Sequence, residues 1–269
     1  MGLSKIIVDI SQGIATITLN EPDRLNALSP EDYDDFANSL RMIDKREDVV
    51  ATIWQANGNW FCAGTNVKAT GSHAVPPTVR DQLRARVIAA NTDCTHALYR
   101  HSKVLIAALN GPVMGIAAAF LGNFDFIYSL PEAWLYVGFP FLGIVIEGGA
   151  SVSFANRMGL AKANEVLIFN KKKTAQELLE CGFINKIFPP QSTESFHAAV
   201  RNHVLGELDG LDSGSILIIK SLLRAGLAEK NNPDAVNLRE SYAQAERFAT
   251  GIPSTRFGMI ARKEIKHKL

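Results

Sequence analysis

The order in which strand and helix signals follow one another limits this chain more than any other feature. Pairs of short strands, each pair followed by a helix, recur up to residue 192, and beyond it no strand signal remains. Residues 5–20, KIIVDISQGIATITLN, alternate Ile6/Val8/Ile10 and then Ala15/Ile17/Leu19 around Ser-Gln-Gly, the pattern of a hairpin. Ser29-Pro30 reads as an N-cap and first helical residue, and Tyr33, Phe36, Leu40 and Ile43 follow at helical spacing. A strand VVATIWQA (49–56) comes next, and GNWFCAGTNV (58–67) leads into ATGSHAVPPT, whose composition suits a mobile surface stretch. A helix is expected over 79–100, then the continuous apolar strand KVLIAALNG and a helix of small residues in GPVMGIAAAFLGNFD. FDFIYSL and AWLYVGF add two strands, a helix begins near Glu147 and runs through RMGLAKANEVLIF, and KTAQELLECG with FINKIF gives a helix and a strand.

This order predicts an α/β core over residues 1–192 and a helical segment over 193–269. ESFHAAVRNHVL, SILIIKSLLRAGLAE and NLRESYAQAERFA carry apolar stripes that must be buried, either on the core or on another copy of the chain.

Composition excludes several functions. The chain has 269 residues and a net charge of +1, with no long block of one sign, so neither a nucleic-acid footprint nor a membrane-surface helix is indicated. No apolar run approaches the roughly 18 residues that span a bilayer, and the first residues lack a secretory pattern. Cys62, Cys94 and Cys181 form no CxxC or Cys/His cluster, which argues against a disulfide framework or zinc and for a reducing compartment. GxSxG, P-loop and GxGxxG motifs are absent, and His96 and His101 are spaced wrongly for a metal pair on one helix face. Cys62 is a candidate nucleophile with a core thiol as its alternative.

One residue stands out chemically. In FPFLGIVIEGGASVSF (139–154) the only charge is Glu147, between an apolar run and two glycines. A carboxylate removed from water must be paired, hydrogen-bonded or protonated, so Glu147 is either a tuned acid/base or an anion set at a helix start.

Four blocks, PDRLNAL, GNWFCAGTNVK, SKVLIAALNGPVMGIAAAFLGNFDFIY and LGIVIEGG, together resemble the crotonase (enoyl-CoA hydratase/isomerase) superfamily in order and spacing. The resemblance implies a ClpP/crotonase-like spiral of β-β-α units with a C-terminal helical segment, assembly as a homotrimer or hexamer, and an acyl-CoA thioester substrate with no further cofactor and no metal. It also implies that the backbone N–H groups of Thr65, after Gly64, and Ile116, after Gly115, hold the oxygen of an enolate. Arg24, Leu25, Asn26, Ala63, Gly64, Lys68, Gly115 and Phe139 would line the acyl-CoA site, with Arg262 and Lys263 reaching a phosphate.

Departures from the pattern narrow the reaction. Hydratases of this type use two glutamates, and the matching positions here hold Ala119 and Phe139, which move no protons. Glu147 stands where Δ3,Δ2-enoyl-CoA isomerases, the fungal peroxisomal ones above all, carry a glutamate, and the same resemblance makes Asn91 the amide that orients it. A double-bond shift needs only one proton shuttle. The expected function is therefore a Δ3,Δ2-enoyl-CoA isomerase of fatty-acid β-oxidation. Its rivals are another crotonase-type enzyme (dienoyl-CoA isomerase, hydrolase or atypical hydratase) and a non-catalytic CoA-binding scaffold. His267-Lys268-Leu269 resembles the Ser-Lys-Leu address read by the peroxisomal import receptor, so a peroxisomal location is expected, otherwise a cytoplasmic one.

Overall fold

The computed structural model describes residues 5–66 and 78–266. Lys68, most of ATGSHAVPPT and the terminal His267-Lys268-Leu269 lie outside the described residues.

Strands β1 (Ile6–Ser11) and β2 (Ile14–Leu19) form the expected antiparallel hairpin. Gln12 and Gly13 both take positive φ (51° and 74°), the backbone of a tight two-residue turn. Helix α1 (Pro30–Asp44) opens on Ser29, whose hydroxyl accepts from the Asp32 N–H while the Asp32 carboxylate accepts from the Ser29 N–H. Strand β3 (Ala51–Ala56) pairs in parallel with β2.

The helix expected over 79–100 is present as α2 (Val79–Gln82), wider π-type turns over Leu83–Asp93, and α3 (Cys94–Arg100). Then come β4 (Val104–Leu109), β5 (Val113–Met114), α4 (Gly115–Phe120), β6 (Phe126–Ser129), β7 (Trp134–Tyr136) and the short α5 (Phe139–Leu142). Helix α6 (Ala150–Leu167), β8 (Lys173–Thr174), α7 (Ala175–Glu180) and β9 (Lys186–Ile187) complete the core. Every residue of β4 is buried, as its unbroken apolar run requires.

Among the described residues the strands form two sheets, ordered β1-β2-β3-β4-β6-β9 and β5-β7-β8. The larger sheet is parallel beyond the first hairpin. One of its faces packs on α1 through Phe36, Trp54, Phe61 and Phe120, where Trp54 and Phe61 meet edge to face at 4.7 Å. Its other face, Ile53, Ile106 and Tyr128, is covered by Phe196, Val200 and Val204 of α8 (Thr193–Leu208). Helices α9 (Ser213–Lys230), α10 (Pro233–Ala249) and α11 (Ile252–Ala261) follow, and α10 lies along the π-type turns and α2. That docking fixes the site.

Candidate active site

Two glycine turns bring the two proposed backbone donors together. Gly64 (φ 85°) and Gly115 (φ 61°) both occupy the left-handed region. They nearly touch: a Cβ on Gly64 would lie 3.0 Å from the Met114 carbonyl oxygen and 3.4 Å from Gly115 Cα. Leu28 donates to Gly64 O and accepts from the Asn66 N–H, each at 2.8 Å. The Thr65 N–H between them therefore points to the opposite edge. Ile116 is the second residue of α4, where N–H groups lack an intrahelical acceptor, and its cap residue Met114 makes no side-chain cap bond. The Met114 N–H donates to Cys62 O at 2.8 Å, which locks the two segments side by side.

Glu147 sits in the loop between α5 and α6. The helix expected to begin near it starts at Ala150 instead, because Gly148 and Gly149 both hold positive φ (74° and 77°). Nor does Glu147 serve the helix dipole. That role belongs to Glu240 of α10, which accepts from the Gly149 N–H at 2.7 Å and the Ser151 N–H at 3.0 Å. Only 8% of Glu147 is exposed, and its Oε2 accepts from Gln244 Nε2 at 2.9 Å. Burial pushes its pKa from the usual 4.5 up to about 8, the Gln244 donor opposes that rise, and the Glu240 charge adds to it.

The Glu147 loop lies beside the donors. A Cβ on Gly148 would stand 2.8 Å from Ala119 Cβ, so the loop presses on α4, the helix that carries Ile116, and the small side chain at 119 makes room for it. Tyr33 connects the other side. Its buried hydroxyl is 2.7 Å from Thr65 Oγ1, and burial raises the phenol well above its ordinary value, against the opposing pull of the Thr65 bond, with Glu147 close enough to add to the rise. Tyr33 thus neighbours both Thr65 and Glu147, and the loop that carries Glu147 rests on α4. Such an arrangement can take a proton from carbon while backbone donors hold the negative charge that develops.

Asn91 departs from expectation. Its Oδ1 accepts from the Gly148 N–H at 2.7 Å and from Thr95 Oγ1 at 3.2 Å, while Nδ2 donates to Ser241 Oγ at 3.1 Å. It fixes the peptide next to Glu147 and not the carboxylate. The carboxylate is held by Gln244, a residue that sequence reasoning missed, on a segment expected only to pack on the core or on another copy of the chain. A signal existed: Asn237, Glu240, Ser241 and Gln244 recur at i, i+3, i+4 and i+7 in NLRESYAQAERFA, and all four are buried.

The expected acyl-CoA contacts are mixed. The Leu25 carbonyl accepts from the Ala63 N–H at 2.9 Å, so residues 24–26 lie against the donor turn. Exposed Arg24 pairs with Glu21 at 3.7 Å. The Asn26 side chain is a fastener: Nδ2 donates to Asn57 O at 2.9 Å and Trp60 O at 2.8 Å, and Oδ1 accepts from the Glu21 N–H at 2.9 Å. Phe139 is buried at the start of α5. Arg262 follows α11 and pairs with Glu264 at 2.6 Å, and exposed Lys263 adopts positive φ (63°) beside it. Cys62 is fully enclosed, donates to Asn26 O at 3.0 Å and is pushed up to about 12 by burial, which leaves a thiol and no thiolate.

A spiral of β-β-α units, with two glycine turns side by side and a buried carboxyl on the loop that packs against α4, defines a protein of the crotonase fold. The enoyl-CoA hydratase/isomerase family model matches residues 9–252, and the chain belongs to that family. It is 34% identical over 273 residues to a Delta(3,5)-Delta(2,4)-dienoyl-CoA isomerase of Pyricularia oryzae, covering 95% of this chain and 96% of that one. It is also 34% identical over 275 residues to the 3,2-trans-enoyl-CoA isomerase of Saccharomyces cerevisiae, covering 98% and 97%. Among solved structures, an enoyl-CoA hydratase/isomerase from Pseudoalteromonas atlantica superposes with a TM-score of 0.83 at 22% identity, over 99% of this chain and 100% of that one, a likeness of fold.

Proposed function

We propose that the chain is a Δ3,Δ2-enoyl-CoA isomerase that moves a β,γ double bond of an acyl-CoA thioester to the α,β position, in fatty-acid β-oxidation. One observation carries this reading: Glu147, buried and raised to about 8, sits on a loop that packs against α4, the helix that carries Ile116. By the resemblance, the positions of the two hydratase acids hold Ala119 and Phe139. Ionised Glu147 removes a proton from C2, the Thr65 and Ile116 N–H groups hold the dienolate oxygen, and the protonated Glu147 delivers to C4. The raised pKa makes the carboxylate a stronger base toward a weakly acidic carbon. The proton shuttle and the main-chain donors suffice, so no cofactor beyond the CoA of the substrate is required.

The test is 3-hexenoyl-CoA, followed by appearance of the conjugated 2-enoyl product. Absence of turnover, or full turnover by Glu147→Gln, sinks the assignment. A second reading has a specific basis, since relatives at equal identity carry enoyl and dienoyl names. A 3,5-dienoyl-CoA arm in the same assay separates the two, and CoA-ester binding without turnover of either ester identifies a scaffold.

The assembly and address belong to the same reading. Ile218, Ile219, Leu222, Leu223 and Leu227 stand exposed on α9, a stripe larger than a lone soluble subunit ordinarily leaves bare, and this supports a homotrimer or hexamer. Light scattering of the purified protein tests it. His267-Lys268-Leu269 serves as the peroxisomal address, and removal of these three residues from a fluorescent fusion should abolish peroxisomal import.

A further inference from the structure

The inference concerns Gln244 and rests on the reading of Glu147 as the proton shuttle. We propose that Gln244 is its positioning residue: by donating to Glu147 Oε2 it reserves Oε1 for the proton, so that the hydrogen removed from C2 is the one returned at C4.

The direction of the Gln244 amide is set by its surroundings. Its Oε1 accepts from the Val145 backbone N–H at 3.0 Å, a group that can only donate. The opposite end of the amide is then the NH2, and this end meets Glu147 Oε2 at 2.9 Å. The side chain is 1% exposed, so no solvent competes for either contact. The loop itself is held on both sides of the carboxylate: Val145 by Gln244, Gly148 by Asn91, and Gly149 by Glu240. A turn of the carboxyl group would set a hydroxyl hydrogen against the Gln244 N–H. Oε1 is the oxygen left to carry the proton.

The C2–H bond breaks and its proton bonds to Oε1, while the electron pair forms C1=C2 and the carbonyl pair moves onto the thioester oxygen. On return the carbonyl re-forms, the C1=C2 pair shifts to C2=C3, and the C3=C4 pair takes the proton from Oε1 at C4. Glu147 ends as the carboxylate. With the proton confined to Oε1, exchange with water during the life of the dienolate is suppressed. The titratable groups facing Glu147 are Glu240 from α10 and Tyr33 from α1. Asn91 from the π-type turns and Ala119 from α4 are neutral, so the Gln244 donor is the contact that favours the ionised form.

The test compares the full-length wild type with Gln244→Met, which removes the whole amide, and Gln244→Glu, which keeps an acceptor for the Val145 N–H but replaces the NH2 donor with a carboxyl oxygen that must share a proton with Glu147 or repel it. With 3-hexenoyl-CoA, kcat should fall about tenfold or more while KM stays within about twofold, because the lost contact acts on the proton-transfer step. The acid limb of kcat/KM should move to higher pH. For reactions run in D2O, the variants should place more deuterium at C4 of the product than the wild type does. A folded Gln244 variant with wild-type kcat, acid limb and C4 deuterium overturns the proposal. So does a wild-type enzyme that fully incorporates solvent deuterium at C4, a result that needs no variant. Full activity of Glu147→Gln is a different failure, since it removes the shuttle itself.

Discussion

Replacing Glu147 by Gln should separate stability from activity, with pH as the variable that exposes the difference. The carboxyl of the native protein titrates at about 8 against 4.5 for the free group, so the folded state keeps a proton that the unfolded chain releases. The sign follows from that. Below the unfolded value both states are protonated and Glu147 costs nothing by ionisation. Between the two values the unfolded chain releases this proton while the native state keeps it, so stability falls as pH rises and the loss is complete once pH has passed through the folded value. At roughly 1.4 kcal/mol per pH unit, a rise from 4.5 to about 8 amounts to about 5 kcal/mol when titration is complete, most of it between about pH 5 and pH 9. The variant does not titrate there. Its new amide must find an acceptor for its NH2, at a pH-independent cost of about 1–3 kcal/mol, although its oxygen can still accept from Gln244.

Urea denaturation of both proteins at matched concentration, at about pH 5, 7 and 9, measures the difference directly. Glu147→Gln should be equal or weaker at acid pH and the more stable protein at alkaline pH, a swing of about 4 kcal/mol. Wild-type kcat/KM should climb through about pH 8 as the base ionises, while the variant stays inactive. A stability difference that stays flat from about pH 5 to pH 9 would refute the argument that burial holds this carboxyl protonated.

Further outcomes follow from the same geometry. Gly64→Ala puts a Cβ 3.0 Å from Met114 O at a φ of 85°; it should cost about 1–3 kcal/mol by thermal melting and at least about a hundredfold in kcat, as the Thr65 N–H swings away. Thr65→Val strands the buried Tyr33 hydroxyl and should cost about 1–3 kcal/mol, most of which the double variant with Tyr33→Phe recovers; simple additivity in that cycle would count against a Tyr33–Thr65 bond. Ala119→Glu, which restores an acid found in hydratases, should give no hydration of 2-enoyl-CoA and a loss of about 1–3 kcal/mol, because a larger side chain meets the Gly148 backbone; a stable, active hydratase would contradict this.

Much of the fold could be read along the chain because it rests on local physics. The β1–β2 hairpin, the Ser29-Pro30 start of α1 and the buried run of β4 come from side-chain alternation, capping chemistry and apolar continuity, and the structure holds all three. Helix α6 starts about one turn beyond the expected Glu147, since GlyGly at 148–149 reads equally as loop or helix cap and only the left-handed φ values decide. The π-type winding over Leu83–Asp93 has no sequence signal comparable to a cap or a period.

By itself the sequence determined the recurring order of strands and helices, the glycine turns at Gly64 and Gly115, and the presence of one acid in an apolar stretch. These depend on near neighbours and on glycine's freedom at positive φ. Tertiary structure alone decided what that acid touches. Gln244 reaches Glu147 across 97 residues, Asn91 reaches Gly148 across 57, and Glu240 takes the helix terminus that Glu147 leaves free. Those contacts exist because α10 docks against the helix that carries Asn91 and the loop before α6, and no local spacing states where a distant helix will lie. The pKa of Glu147, and with it the chemistry available, is therefore a property of that packing.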